Sequence, residues 1–321
     1  MNDFSTISIE YLKKITSIIG SVFLLIIFYL CFEIYVPVNP ASHETIVYTV
    51  QKGWGDSDIA NNLKQLGIIR SSYFFKFYAV LSLKHSGLQA GEYNLSPRDS
   101  IHEIANKMAN GDVIRDNVVI LEGWDVSDIG QYLESKGICK KDYFVSLAKG
   151  HEGYIFPDTY EIAKGETCEG ILSLALANFD KKLTPELRAE IISQKKSIFD
   201  IVTMASMIEK EVRSLDDKKI VSGILWKRLA IDMPLQLDAT IVYITGNAQI
   251  TAKDKLINSP YNTYKYYGLP KGPISNPGID SITAAIYPTK TKYWYYLTDG
   301  ITHFSETLDQ HNAAKAKYLG R

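Results

Sequence analysis

Two carboxylates stand close together in a segment that otherwise reads as protein interior. The stretch MASMIEKEV, Met204 to Val212, sets Glu209 and Glu211 two positions apart among methionine, alanine, isoleucine and valine. A carboxyl group with apolar neighbours is penalised in its charged form, so its pKa rises and it can hold a proton near neutral pH. Such a group can give that proton to a leaving group and later take one back, which is general acid–base chemistry. On a helical wheel of about 100° per residue, Ile201, Val202, Met204, Ala205, Met207, Ile208 and Val212 fill a broad apolar arc. Thr203, Ser206, Lys210 and Arg213 share the opposite side. Glu209 falls between Ala205 and Val202, and Glu211 at the other margin beside Met204 and Met207. Periodicity leaves both open. Each is a candidate acid, and each can equally be a helix-edge carboxylate paired with Lys210, Arg213 or another cation.

Other chemistries find little support. The histidines, His43, His85, His102, His151, His303 and His311, are scattered, with no H-E-x-x-H and no cysteine pair at ligand spacing, so neither a metal nor a cofactor is expected. There is no glycine-rich phosphate loop. SLAK and SQKK match the S-x-x-K of penicillin-binding serine enzymes, but no K-T-G accompanies them. A net charge of −1 gives no pull toward nucleic acid. The chain has 321 residues, 46% of them apolar and 22% charged, so it can bury a core and has room for about two domains. Its 21 tyrosines offer platforms for sugar faces or bases, although a tyrosine is first a packing residue.

The elements that must carry the two glutamates are legible around them. Thr184 caps a helix with Pro185 at its first position. Ser197 and Asp200 form a variant capping box that opens the helix bearing Glu209, and Ser214 opens the next, with Ile220, Val221, Ile224, Leu225 and Leu229 on its apolar face. The chain ends as strand, Asp-Gly turn, strand (KYWYYLT-DG-ITHFS), then a helix capped by Thr307 and Gln310. The expected class is α+β.

Upstream the sequence repeats itself. GWGDSDIANNLKQLGIIRSSYF, Gly53 to Phe74, aligns with GWDVSDIGQYLESKGICKKDYF, Gly123 to Phe144, at an offset of 70 residues with ten of 22 positions identical. Each copy reads as a strand, a Gly-Trp turn, a helix with Ser57 or Ser127 as N-cap, a stop at Gly67 or Gly137, and a second short helix. The strand–helix–helix–strand order resembles the LysM module, which binds N-acetylglucosamine-containing glycans; the copies can also serve only as spacers. The second copy runs into HEGYIFPDTYEIAKG, His151 to Gly165, whose aromatic residues can line a cleft or close the module.

Near the N-terminus, Ile15 to Phe32 is an uncharged run of 18 residues. As a helix it is about 27 Å long, close to the thickness of a bilayer's hydrocarbon core. Lys13 and Lys14 precede it and no Lys or Arg follows before Lys52, which puts the N-terminus in the cytoplasm. An uncleaved anchor over residues 15–36 is expected rather than a signal peptide, with the remainder outside the cytoplasm. Cys139 and Cys168 would then lie in an oxidising compartment where they can pair, though nothing in the sequence shows that they do.

Taken together, MASMIEKEV, VSGILWKRLAIDMPLQLDATIVY, SPYNTYKYYGLPKGPISNPG and HFSETLDQHNAA, with EGYIFPDTYE and the N-terminal anchor, resemble the endolytic murein transglycosylase (YceG-like) family over residues 45–318. The resemblance implies a bacterial inner-membrane enzyme, single-pass, with its catalytic part periplasmic or extracytoplasmic. Such an enzyme cleaves the β-1,4 bond between N-acetylmuramic acid and N-acetylglucosamine in nascent peptidoglycan strands, leaves 1,6-anhydro ends and terminates strand elongation. It implies cell-wall synthases as partners. It also implies that the catalytic acid is the first glutamate of the motif, Glu209; Glu211 is read as a structural ion pair. Substrate contacts are expected from Gln236, Tyr261, Asn262 and Asn276, and from Glu152 and Tyr154 of the second repeat. Leu237 and Ala239 stand where many relatives carry a polar residue and proline. The implied layout is a cytoplasmic tail (1–14), the anchor (15–36), a LysM-like module (45–115), a second repeat (116–183) and a catalytic domain (184–321). The rival reading is a non-catalytic membrane-anchored peptidoglycan-binding scaffold in which Glu209 is structural. A hydrolytic glycosidase is a third.

Overall fold

The computed structural model of the protein describes residues 3–82 and 87–320. It opens with helix α1, Asp3–Tyr35, in which Tyr11–Tyr35 is long and apolar enough to cross a membrane. Ile18, Leu24 and Phe28 on it are exposed, with no protein packed over them.

Contacts divide the chain into two compact units, one running to Asp116 with Ala163–Gly165 added, the other holding Asn117–Ile162 and Glu166–Arg321. The first contains β1 (Ile46–Val50), α2 (Asp56–Gln65), α3 (Ser72–Ser82), β2 (Gly91–Leu95) and α4 (Ile101–Asn110). β1 and β2 pair antiparallel, with Tyr48 opposite Tyr93. Ile59, Leu63, Phe75, Ile104 and Met108, all fully buried, bring the three helices onto that pair in one apolar core.

The second repeat has the same order: β3 (Arg115–Val119), α5 (Val126–Ser135), α6 (Lys141–Leu147) and β4 (Thr159–Ala163), with β3 paired to β4. The expected strand–helix–helix–strand units are therefore present in both copies. Their helix starts differ from expectation by two residues. Gly55 and Asp125 are the N-caps, not Ser57 and Ser127, which lie in the first turn. Asp125 accepts from the Asp128 N–H at 2.8 Å, and Asp58 accepts from the Gly55 N–H at 3.0 Å. A longer-reaching carboxylate has taken the capping role from the serine. Gly67 and Gly137 end α2 and α5 with φ of +69° and +70°, a left-handed conformation that glycine adopts without strain. Cys139 and Cys168 form a disulfide that ties the segment after α5 to the start of the next helix.

That helix is α7 (Cys168–Lys182), followed by α8 (Pro185–Ser193), α9 (Ile198–Glu211), α10 (Leu215–Leu229), α11 (Asp238–Thr245), α12 (Ile279–Ile286), the hairpin β5 (Tyr295–Thr298) and β6 (Thr302–Ser305), and α13 (Leu308–Leu319). The caps read from sequence are in place: Thr184, Ser197, Ser214 and Thr307 each accept from a first-turn N–H. α9 is the central element, packed by α8, α10, α11 and α12. Every residue from Ile201 to Ile208 is buried, including Thr203 and Ser206, which the wheel had placed on a polar side. With neighbours all round, the helix has no wet face along this stretch. Ser206 meets its hydrogen-bonding needs internally, donating to the Thr203 carbonyl at 2.8 Å and accepting from the Ile274 N–H at 3.0 Å.

Candidate active site

The two glutamates at the C-terminal end of α9 meet different surroundings. Glu209 turns inward. Its Oε1 accepts from Lys218 Nζ at 2.9 Å and its Oε2 from the Gly278 N–H at 2.9 Å. The two side chains of the ion pair are only 8% and 3% exposed. Glu122 lies beside them; burial, reinforced by the charge of Glu209, pushes its carboxyl up. A Cβ on Gly278 would meet Glu122 Oε1 at 1.8 Å, so a larger residue there would have to displace the Glu122 side chain. Both oxygens of Glu209 are thus engaged in hydrogen bonds that join α9, α10 and the N-terminus of α12. The expectation that Glu209 is the proton donor meets this geometry: both of its carboxylate oxygens are taken by hydrogen bonds within the protein.

Glu211, expected to be a structural ion pair, has no Lys, Arg or His nitrogen within 4.0 Å among the described residues. It ends α9 at the junction of two grooves, of about 570 and 470 Å³, whose walls share Glu211, Asp238 and Thr298. Its Oε2 accepts from the Tyr296 hydroxyl at 3.0 Å. Burial pushes its carboxyl up to about 7; the Tyr296 hydrogen bond opposes that rise and the charge of Asp238 adds to it. Arg228 lies close but is spent elsewhere: its guanidinium donates to the carbonyls of Leu235 and Trp294. Asp238 is engaged by Lys255 Nζ at 3.1 Å and by the Tyr264 hydroxyl. Gln236 lines the larger groove with φ of +55°, a conformation that is costly for a non-glycine residue, and its backbone is fixed by the Thr263 carbonyl at 3.1 Å. His311, stacked on Tyr295 at 5.2 Å, also lines it and is held below its usual pKa, chiefly by burial.

A third cavity, about 640 Å³, adjoins the smaller groove through Tyr243, which lines both. Glu152, Tyr154 and Tyr261 line it, as does Phe199. Glu152 accepts from the Val126 N–H at 3.1 Å and from Asn276 Nδ2 at 3.1 Å, and burial pushes it up to about 7. Asn276 and Asn262 do not reach a cavity with free groups. Asn276 is fully buried: Oδ1 accepts from the Ile155 N–H and Nδ2 donates to the Trp124 carbonyl and Glu152. Asn262 donates to the Lys255 and Ile257 carbonyls and accepts from the Tyr264 N–H. Both are loop-building residues, because a buried amide must satisfy its own donors and acceptor before it can serve a ligand.

The sequence profile of the YceG-like family matches residues 48–317. The chain belongs to the YceG-like family. It is 32% identical over 315 residues to a protein of Bacillus subtilis (strain 168) named endolytic murein transglycosylase, covering 88% of this chain and 87% of that one. A protein of the same name from Streptococcus pneumoniae serotype 2 is 27% identical over 332 residues; the match covers 88% of this chain and 60% of the pneumococcal one. A YceG-like protein of Listeria monocytogenes, known from its crystal structure, is 33% identical and superposes with a TM-score of 0.56, covering 85% of this chain and all of that one.

Within this YceG-like chain, the polar residues that gather around Glu211 come from three separated segments: Arg228 from α10, Gln236 and Asp238 from the turn into α11, and Tyr296 from β5. Sequence reasoning selected only Gln236 among them. A signal for Asp238 was present in LQLDAT, where an acid opens a helix that has no other cap. Tyr296 carried none, because the spacing of KYWYYLT does not say which tyrosine turns inward.

Proposed function

We propose that the protein is an endolytic peptidoglycan transglycosylase in which Glu211 is the acid–base residue. The observation that carries the assignment is the position of Glu211, at the meeting point of two grooves, pushed up to about 7 by burial and with no salt-bridging partner within 4.0 Å among the described residues. The relatives named endolytic murein transglycosylase support the substrate class.

Glu211 first protonates the glycosidic oxygen between N-acetylmuramic acid and N-acetylglucosamine. The C6 hydroxyl of the same muramic residue attacks C1, and the carboxylate of Glu211 then takes the hydroxyl proton. The product is a 1,6-anhydro end. Intramolecular attack by a held hydroxyl needs no activated water, so one carboxylate is enough. A hydrolase uses a second carboxylate as base or nucleophile. Asp238 shares both grooves with Glu211, and its Oδ1 is engaged by Lys255 and Tyr264.

Gln236, on a strained and fixed backbone, is the proposed contact to the sugar beside the scissile bond. Glu152, Tyr154 and Tyr261 are proposed to hold a more distant part of the strand in the aromatic cavity. Grooves on both sides of the acid suit a cut within a strand.

Helix α1 is proposed as the membrane anchor, N-terminus in the cytoplasm, so that the grooves act outside it on newly made strands and end their elongation. In this reading the LysM-like modules hold glycan and wall synthases are the partners. Incubating the protein with peptidoglycan and analysing the products by mass spectrometry tests the assignment. Anhydromuramyl ends are expected; reducing ends would mean hydrolysis, and bound but uncut glycan would mean a scaffold.

A further inference from the structure

The first unit carries an apolar helix that its own core only half uses. α3 reads SYFFKFYAVLS and has a single charged residue, Lys76. Phe75, Tyr78 and Ala79 face the core. Tyr73, Phe77, Val80 and Leu81 are spaced as one face of a helix and are 68%, 40%, 70% and 55% exposed. A contiguous exposed face of four large apolar side chains marks a binding surface, not ordinary surface composition.

The same helix is fastened to the C-terminal end of α1. The Tyr29 and Phe74 rings meet edge to face at 5.6 Å. Arg70, just before α3, lies 4.9 Å over the Phe32 ring and donates to the carbonyls of Val36 and Pro37. Tyr35 lies 5.1 Å from His102, whose Nδ1 is 2.6 Å from the Tyr78 hydroxyl. Phe74 borders the exposed face on the wheel, so the apolar surface runs from the flank of α1 onto α3 without a polar break.

We infer that this face of α3 lies in the bilayer interface as a second membrane contact beside the anchor; the inference rests on α1 being the anchor. Tyr29 precedes Glu33, the first charge after the apolar run, by four residues. That places the Phe74 contact about 6 Å below the end of the apolar segment, from the helical rise per residue. Amphipathic helices lying in the interface bury their apolar face by roughly 5–10 Å, which is the depth this attachment enforces. Lipid is the occupant that fits. The face continues the surface of α1, the helix proposed to span the bilayer. Two attachment points fix the orientation of the first unit on the membrane surface, where a single helix would leave it free to swivel.

The full-length protein in phospholipid vesicles tests this by site-directed spin labelling. One label goes on Cys31, within α1. In a Cys31→Ser background, others go on Phe77→Cys, Val80→Cys and, as an aqueous reference, Asn61→Cys on the polar face of α2. Accessibility to oxygen and to a water-soluble nickel chelate is measured at each. At positions 77 and 80 the oxygen-to-nickel ratio is expected to rise several-fold above that at position 61, toward the value at Cys31. A lipid-like ratio at Cys31 with water-like ratios at 77 and 80 overturns the contact and leaves the anchor standing. Shielding of 77 and 80 from both reagents means that protein covers the face and also overturns it. A water-like ratio at Cys31 itself removes the anchor and the inference with it.

Discussion

Exchanging Glu209 and Glu211 for glutamine, one at a time, separates a structural carboxylate from a chemical one. Glu211→Gln keeps the shape of the side chain and its hydrogen bond to Tyr296 but removes the proton that is transferred. At pH 7 a carboxyl at its ordinary value of 4.5 is protonated about 0.3% of the time, whereas one at about 7 is protonated about half the time. The site therefore raises the acid form by roughly 150-fold, and general acid–base catalysis of this kind contributes about 10²–10⁴ in rate. Glu211→Gln should lose that factor in anhydromuramyl ends released per minute while its thermal midpoint stays level or rises. Glu209→Gln should do the reverse. It removes the counter-charge that bonds Lys218, 3% exposed, leaving the exposed Glu122 nearby. Breaking one side of a buried ion pair costs about 3–5 kcal/mol, roughly 10 °C in midpoint for a unit of this size. Below that midpoint its turnover should remain within a few-fold of the parent. A stable but inactive Glu209→Gln beside an active Glu211→Gln would refute the assignment and return the acid to the first glutamate.

Tyr296→Phe removes the hydroxyl that stabilises the Glu211 carboxylate, so the Glu211 pKa should rise further and the alkaline limb of the pH–rate profile should move to higher pH; an unmoved limb would mean that another group sets it. Folding stability should carry the same signature. Because the folded pKa of Glu211 lies above its ordinary value, its contribution is fully present below about pH 4.5 and is lost as pH rises through about 7. The unfolding free energy of Glu211→Gln should therefore gain on the parent between pH 5 and pH 8, by about 1–2 kcal/mol once solvent access from the groove is allowed for. Glu152→Gln should gain in the same direction, offset by the loss of one charge-assisted bond from the Val126 N–H. Reducing the Cys139–Cys168 disulfide opens a loop spanning 29 residues, and loop-closure entropy puts the destabilisation at about 3–4 kcal/mol; calorimetry with and without reductant reads it directly.

What the sequence disclosed and what it withheld divide along a physical line. Helix starts, the repeat, the terminal hairpin and the apolar N-terminal helix depend on local spacing, and most are in place within two residues. The site depends on which way a side chain points at the end of α9, and local spacing does not contain that. The wheel left both glutamates open because each flanks the apolar arc. The choice is made by partners far away in sequence: Lys218 and the Gly278 N–H turn Glu209 inward, and Tyr296, 85 positions from Glu211, draws it toward the grooves. Asn262 and Asn276 misled for a related reason. An asparagine in a Pro- and Ser-rich loop offers the same atoms to a sugar or to its own turn, and the surrounding backbone decides. Here the carbonyls of Lys255, Ile257 and Trp124 took those donors first. The grooves are thus left to groups whose hydrogen-bonding capacity the fold does not exhaust. Glu211 is the carboxylate lining both grooves whose pKa burial has raised, and in the proposed reading the EKE motif divides its labour: the first carboxylate holds the helix end and the second does the chemistry.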